Sequence, residues 1–373
     1  MKFQNTAILS LGSNIGDRLA TLQWCIGYIH SNIATVAKVS GVYENPSIGF
    51  NGDDFYNCCI VVHTQMQARE LLKQLLAAEL EGGRTRSATQ RHTSRTIDID
   101  MIAFNGAVIN EEGLHIPHPR MHNRNFVLVP MRDVAPNWVH PILKKNINAL
   151  LADAGDDSKC EFILQLPAPL TRYDLQQHGY IAIEGNIGAG KTSLASKIAE
   201  DFNGQLVLER FAENPFLPKF YEDSQRYAFP LEMSFLADRY QQLTDDLSGI
   251  AGSELIVADY HIFKSLVFSK VTLAEEEYVL YKKVFDIMYS EMRHPGLYVY
   301  LHQDTGQLLD NIKNRGRSYE QGITPGYLDK IHEGYLAHIK SLPNVLVLDV
   351  TGHDFVNSQQ DYLWVLEQIN LKG

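Results

Sequence analysis

Cysteine is scarce, with four residues in a chain of 373. The middle two of Cys25, Cys58, Cys59 and Cys160 are neighbours in a strand-like run, where successive side chains point to opposite faces. That spacing excludes a disulfide framework and a paired-cysteine metal site, and it fits a reducing compartment. An excess of positive charge is missing as well. Lys and Arg number 33 against 44 Asp and Glu, a formal net charge of −11 at pH 7, which excludes broad electrostatic attraction to nucleic acid or an anionic membrane. Any anion site must therefore be built locally. Long apolar runs are also absent: nowhere do about 18 apolar residues follow one another. The N-terminus, Met1-Lys2-Phe3-Gln4-Asn5, enters a short apolar run without a cleavage signal. A soluble, cytoplasmic protein is expected, long enough for about two domains.

What is present is a P-loop. Tyr180-Ile181-Ala182-Ile183 reads as a short apolar strand leading into Gly185-x-x-x-x-Gly190-Lys191-Thr192, and a helical pattern follows at once. Gly185, Gly188 and Gly190 let the backbone curl so that successive N–H groups, Asn186 among them, point at phosphate oxygens. Lys191 would reach the β- and γ-phosphates, and Thr192 would offer its hydroxyl to Mg²⁺. The alternative is a glycine-rich turn with no nucleotide; the flanking strand and helix favour the P-loop. Such units usually begin a domain, yet this one lies near mid-chain.

The first half has its own pattern. Residues 7–11 read as a strand that stops at Gly12-Ser13-Asn14; Leu19, Leu22, Ile26 and Ile29 recur at helical spacing. One strand is expected over 36–43 and another over 55–64. Leu71, Leu72, Leu75, Leu76 and Leu80 form one apolar helical stripe closed by Gly82-Gly83. Arg84, Arg86, Arg91, His92 and Arg95 then crowd one loop, and the strand 96–102 follows. Alternation puts Asp98 and Asp100 on one face and Ile97, Ile99 and Met101 on the other. Two carboxylates about 6 to 7 Å apart along a strand suit Mg²⁺. Alone they read better as solvated surface carboxylates; beside an arginine-rich loop the balance turns to a polyphosphate site. His115, His118 and His122 suggest zinc, but no cysteine or open ligand set accompanies them.

Gly12-Ser13-Asn14, Val42-Tyr43-x-x-Pro46, Phe55-x-Asn57, Arg84-x-Arg86, Arg95-Thr96-x-Asp98-x-Asp100 and Pro117-His118-Pro119-Arg120-Met121-x-x-Arg124 stand in the order and spacing of 6-hydroxymethyl-7,8-dihydropterin pyrophosphokinase. Roughly residues 5 to 160 resemble this folate-biosynthesis enzyme, which moves pyrophosphate from ATP to the pterin hydroxymethyl group and leaves AMP. The resemblance implies Asp98 and Asp100 as ligands of Mg²⁺, and Arg84, Arg95, His118 and Arg124 as phosphate contacts. It implies a pterin pocket of Asn45, Phe55, Asn57, Glu79 and Phe126, with the two aromatics sandwiching the ring and Asn57 reading its edge. Phe55 stands where the family can carry Tyr, a change that keeps ring stacking. The loop from Ser87 to Ser94 departs from the family in length.

Beyond the P-loop, short apolar strands at 205–208, 255–258, 297–301 and 345–348 alternate with helical stretches, which implies a parallel sheet covered on both sides. Glu209, Asp259, Arg315-Gly316-Arg317 and Glu320 fall at strand ends or in later loops, the edge where open α/β sheets bind ligands. Glu209 and Asp259 could also be ordinary strand-end carboxylates. With Phe220-Tyr221-Glu222-Asp223 and Arg226-Tyr227-Ala228-Phe229-Pro230, these residues resemble the deoxynucleoside kinases over about 180 to 350. The resemblance implies ATP as donor and Glu209 as general base on the 5′-hydroxyl. It further implies Tyr221 and Glu320 on the 3′-hydroxyl, Asp259 near Mg²⁺, Arg315 and Arg317 on the transferring phosphate, and a homodimer through this domain. Two departures stand out. Glu232 replaces a base-reading Gln, and an ionised carboxylate only accepts hydrogen bonds. Asp259-Tyr260-His261 lacks the arginine that usually follows the acidic residue.

The expected architecture is therefore 1–165, an α+β ferredoxin-like domain with an antiparallel sheet and helices on its faces; 166–178, a linker; and 179–373, an α/β P-loop kinase with a parallel sheet. The expected function is bifunctional: pyrophosphoryl transfer to the dihydropterin and 5′-phosphorylation of a deoxynucleoside, with small-molecule substrates and neither nucleic acid nor membrane as partner. Two alternatives remain for the second half, a nucleotide-sensing module and a kinase for another acceptor such as a nucleoside monophosphate.

Overall fold

The computed structural model describes residues 4–50, 52–84, 94–210, 214–248, 254–290, 292–317, 320, 322–340 and 342–372. Arg86, Arg91 and His92 lie outside the described residues, as does the side chain of Tyr221. The chain divides into two units, Met1–Arg172 and Tyr173–Gly373.

The first unit runs β1 (Asn5–Ser13), α1 (Arg18–Asn32), β2 (Thr35–Val39), β3 (Gly41–Asn45), β4 (Phe55–Thr64), α2 (Ala68–Glu81), β5 (Asp98–Phe104), β6 (Ile109–Glu111), β7 (Leu114–Ile116), α3 (Asn125–Val134), α4 (Ile147–Asp153) and β8 (Glu161–Gln165). Its main sheet is antiparallel in the order β5-β1-β4-β3-β8, with β2 also paired to β4. Alternation divides the strand side chains between two cores. Leu9, Leu11, Cys58, Ile60, Ile99 and Met101 pack beneath α1 and α2, whereas Ile8, Cys59, Val61 and Ile102 pack beneath α3 and α4. Cys58 and Cys59 thus enter opposite cores, as the strand period requires.

The single strand expected over 36–43 is broken at Ser40. This buried residue accepts from the Cys59 amide at 2.8 Å and donates to the Gly41 carbonyl at 2.7 Å, so a side chain takes over ladder bonds and the pairing divides into β2 and β3. Apolar patterning cannot register such a substitution of side chain for backbone.

The second unit runs β9 (Tyr180–Gly185), α5 (Lys191–Asp201), β10 (Gln205–Val207), α6 (Leu217–Glu222), α7 (Ser224–Ser248), β11 (Ile256–Ala258), α8 (Lys264–Thr272), α9 (Glu275–Tyr289), β12 (Leu297–His302), α10 (Thr305–Arg315), α11 (Pro325–Ile339), β13 (Val345–Asp349) and α12 (Gln359–Asn370). The sheet is parallel throughout, in the order β10-β11-β9-β12-β13. Tyr180, Ala182, Ile256 and Ala258 pack with residues of α7 and α9, while α5 lies against β9, β10 and β11. With both faces covered, β9 is buried along its whole length, which is why its sequence shows no polar alternation. Pro230 sits inside α7, in its second turn, where the Arg226 carbonyl forgoes its i+4 amide donor.

The stretch read as a linker contains two 3₁₀ turns, Pro169–Arg172 in the first unit and Leu175–His178 in the second, with Leu170 and Leu175 buried. Among the described residues, no helix is long and apolar enough to cross a membrane.

Candidate functional site

In the first unit, strand register assembles the site. Gly12 on β1 is opposite Asp98 on β5 and Asn57 on β4, and Asn57 is opposite Tyr43 on β3, so one row crosses four strands. The next row on that face pairs Ser10 with Asp100 and Cys59. This face continues into the core under α3, and the rows lie where α3 begins. A cavity of about 390 Å³ belongs to the second unit; the one here measures about 730 Å³ and is lined by Gly12, Asn45, Phe55, Asn57, Arg84, Arg95, Asp98, Asp100, His118, Arg124 and Phe126, among others. Gly12 is required for space: a Cβ there would stand 2.5 Å from Asn57 Oδ1.

Asp98 is held at both oxygens, by Arg84 at 2.6 Å and Arg95 at 2.5 Å. Arg84 also pairs with Glu79. Glu79 does not line the cavity; it is buried behind, accepting from the Ile99 amide at 2.8 Å and fixing Arg84 against β5. Burial, reinforced by Asp98, pushes the Asp100 carboxyl up to about 6. His118 moves the other way: burial and then Arg124 lower it to about 4, so the imidazole is neutral at pH 7. Its Nδ1 accepts from the Arg120 amide at 3.3 Å, which leaves the proton on Nε2. Phe126 carries the Arg124 guanidinium 5.3 Å from its ring centre, and Phe55 meets Phe50 edge-on. Asn57 donates to Asn45 Oδ1, and Asn45 in turn donates to the Pro46 carbonyl at 3.0 Å.

The three histidines considered for zinc go to different places. His115 meets Asn110 at 2.8 Å, His122 meets Asn123 at 3.1 Å, and His118 lines the cavity. Asn14 is a residue the motif contained without a stated role. Its Oδ1 accepts from the Arg95 amide at 2.8 Å and its Nδ2 donates to Ser94 at 3.0 Å, so it anchors the start of β5.

In the second unit, the loop between β9 and α5 has φ of +152° at Gly185, +87° at Gly188 and +82° at Gly190. A Cβ at Gly185 would fall 2.7 Å from the Leu301 carbonyl oxygen, so neither the backbone conformation nor the space admits a side chain. Lys191 opens α5 and donates to the carbonyls of Gly185 and Asn186, each at 2.9 Å; burial and then Lys264 lower its pKa to about 8. The Asn186 side chain turns away to the Leu328 carbonyl at 2.8 Å, tying the loop to α11.

Lys191 and Thr192 line the 390 Å³ cavity together with Glu209, Glu232, Arg239, Asp259, Lys264, Arg315, Arg317 and Glu320. Thr192 donates to Asp259 Oδ2 at 2.5 Å, while Asp259 Oδ1 accepts from the Glu209 amide at 2.8 Å. Glu209 itself is clamped by Arg239 at 2.8 Å and Lys264 at 2.6 Å. Against burial, which favours the neutral acid, Lys264 and Arg239 hold its pKa down to about 2. No sequence motif marks Arg239 and Lys264, because they lie on α7 and α8, far along the chain from the Glu209 they serve. Glu320 accepts from Arg315 at 2.6 Å and from Arg317 at 3.4 Å, drawing the two arginines together.

Both donor sets suit Mg²⁺. Among the described residues no group of three or more His, Cys, Asp or Glu could hold a metal. Mg²⁺ needs fewer protein ligands, because it keeps waters and uses phosphate oxygens beside one or two carboxylates. Asp98 with Asp100, and Thr192 with Asp259, supply oxygen donors of that kind.

The family described as "Deoxynucleoside kinase" matches residues 181–371, and that described as "7,8-dihydro-6-hydroxymethylpterin-pyrophosphokinase (HPPK)" matches residues 8–136. The deoxyguanosine kinase of Bacillus subtilis is 36% identical over 190 residues, 49% of this chain and 92% of that protein. The deoxyadenosine/deoxycytidine kinase of the same organism is 27% identical over 208 residues, covering 54% and 95%. The 2-amino-4-hydroxy-6-hydroxymethyldihydropteridine pyrophosphokinase of Bacillus subtilis is 40% identical over 132 residues, covering 35% and 78%. The chain is thus a transferase of phosphorus-containing groups that uses ATP, and it belongs to the HPPK family through its first unit and to the deoxynucleoside kinase family through its second.

Proposed function

We propose that the protein catalyses two separate transfers from ATP: pyrophosphate to 6-hydroxymethyl-7,8-dihydropterin, releasing AMP, and the γ-phosphoryl group to the 5′-hydroxyl of a deoxynucleoside, releasing ADP. The observation that carries this reading is that each unit has its own cavity in which an anion-binding cluster adjoins an acceptor pocket. In the first, the pterin hydroxyl oxygen attacks the β-phosphorus, the bond to the α,β-bridging oxygen breaks, AMP leaves with the electron pair, and the hydroxyl proton is released to water. Arg84, Arg95 and Arg124 neutralise the charge that develops, and His118 donates from Nε2. Asn57 and the rings of Phe55 and Phe126 hold the flat acceptor so that its hydroxyl is aligned.

In the second, the 5′-oxygen attacks the γ-phosphorus, the bond to the β,γ-bridging oxygen breaks, ADP leaves with the electron pair, and the hydroxyl proton is released to water. Lys191, Arg315 and Arg317 carry the phosphate charge. Glu209, with so low a pKa, is a weak base; it orients the hydroxyl as a fixed acceptor more than it removes the proton. Mg²⁺, held by Asp98 with Asp100 and by Thr192 with Asp259, would supply charge neutralisation in both sites.

Incubation of the full chain with ATP and each acceptor alone tests the proposal. The dihydropterin should yield AMP, and a panel of deoxynucleosides should yield ADP and a nucleoside monophosphate. A panel without ADP overturns the kinase half, and a dihydropterin reaction without AMP overturns the other.

A further inference from the structure

α10 carries two rows of side chains with different tasks. Leu308 and Ile312, one turn apart, are buried and seat the helix on the body of the unit. Asn311 and Arg315, also one turn apart, form the neighbouring row. Arg315 ends the helix and lines the cavity that holds Lys191, whereas the lining does not include Asn311. Asn311 instead turns to the P-loop. Its Nδ2 donates to the Gly188 carbonyl oxygen and to Gln303 Oε1, each at 3.0 Å. Both amide protons are thereby used, and the way the amide faces is determined: a backbone carbonyl only accepts, so Nδ2 and not Oδ1 must meet Gly188.

The bond falls where the loop is least able to hold itself. Gly188 has φ of +87° and no Cβ, so its flanking peptides rotate at little cost. A Cβ there would stand 2.9 Å from the Leu308 carbonyl oxygen and 3.1 Å from Ile312 Cγ1, so the loop and helix backbones meet directly. Gln303 follows β12 at once and is only 8% exposed, which fixes the other end of the Asn311 amide. Apolar packing is non-directional and lets a helix slide along its neighbour; two aimed hydrogen bonds set where along α10 the loop sits.

That register reaches the chemistry through the helix. Arg315 lies about 6 Å along the axis from Asn311, so the bond that fixes Asn311 to the loop also fixes the root of Arg315 relative to Lys191. Charges aimed at a transferring phosphate act by being preorganised, and a displacement of about 1 Å is costly. We propose that Asn311 is a positioning residue of the kinase reaction, locking α10 to the P-loop so that Arg315 and Lys191 meet the same phosphoryl group. The inference rests on the deoxynucleoside kinase reading of this cavity.

The experiment is a double-mutant cycle on the full chain, read as ADP formation from ATP with deoxyguanosine, deoxyadenosine, deoxycytidine and thymidine. Asn311→Asp is isosteric and turns both donated bonds into contacts between oxygens. Its kcat should fall about tenfold or more, while KM for the deoxynucleoside stays within about twofold because Asn311 does not line the cavity. Arg315→Met alone should lower kcat by about 10² to 10³. Because Asn311 acts through Arg315, adding Asn311→Asp to Arg315→Met should cost less than about twofold more. Asn311→Ala keeps the helix and removes the donor without the repulsion; it should lose about threefold with the same non-additivity, and it carries the cycle if the Asp variant does not fold. An unchanged kcat, or an effect confined to KM, overturns the proposal, as do losses that multiply in full on the Arg315→Met background. Each of these leaves the kinase reading standing, since the wild type forms ADP. Absence of ADP from the wild type with all four, in a preparation that still makes AMP from the dihydropterin, overturns that reading and this inference with it.

Discussion

Lys264 is the residue whose removal reports most directly on the clamp around Glu209. Its Nζ lies 2.6 Å from Glu209 Oε2, with side-chain exposures of 11% and 10%, so Lys264→Met deletes a charge-assisted bond that water cannot replace. Such bonds contribute about 1.5 to 3 kcal/mol, and if the orientation of Glu209 matters fully in the transition state, kcat/KM for the deoxynucleoside falls about 10- to 150-fold. Arg239 remains, so the buried carboxylate keeps one cation and the chain should still fold. The pH profile carries the sharper signature. Glu209, held down to about 2, contributes no acid limb in the accessible range of the wild type. Loss of Lys264 lets burial raise it, so an acid limb should move up toward neutrality. Lys191, lowered to about 8 by burial and then by Lys264, loses a repulsive neighbour, and the alkaline limb should move up as well. The same pair has a stability consequence. A depressed carboxylate stabilises the fold above its unfolded value of about 4.3, and that contribution disappears as pH falls through about 2. Lys264→Arg should restore most of the rate. A loss of rate with both limbs unmoved, or no loss at all, would refute the clamp.

Gly12→Ala should push Asn57 aside, because the new Cβ would meet its Oδ1 at 2.5 Å; the expected result is a raised KM for the dihydropterin with the second activity unchanged, measured by AMP release against pterin concentration. Leu9→Ala, at a fully buried position in the core beneath α1 and α2, should destabilise the first unit by about 2 to 5 kcal/mol. Chemical unfolding followed by pterin-dependent and deoxynucleoside-dependent activity should show the first midpoint shifting alone.

The parts of this molecule legible in sequence are those in which chemistry and chain are contiguous. The P-loop is read from eight successive positions because its geometry is local, and Asp98 and Asp100 are read because strand alternation puts them on one face. The parallel sheet shows through uninterrupted apolar strands, of which β9 is the clearest. What sequence hides is pairing at a distance. Arg239 and Lys264 reach Glu209 from 30 and 55 residues away, and Gly12 meets Asn57 only through register. Glu79 carried a pocket role by resemblance, yet packs behind Arg84, a difference of depth that no linear pattern encodes. β8 adds to the edge at β3 with largely exposed or half-exposed residues, so its apolar signal is weak and the pattern fades before the unit ends. Asn186 matches the motif, but its side chain serves α11.

On the proposed function, two independent sites in one chain break ATP at different phosphates. The most direct test measures AMP and ADP from the same preparations of wild type, Asp98→Asn and Lys191→Met, each supplied with ATP and one acceptor at a time. Asp98→Asn should lose AMP formation and keep ADP formation. Lys191→Met should keep AMP formation and lose about 10² to 10³ in ADP formation, the usual effect of deleting one preorganised charge on a transferring phosphate. Loss of both products in either variant, or retention of both in either, would contradict the two-site account.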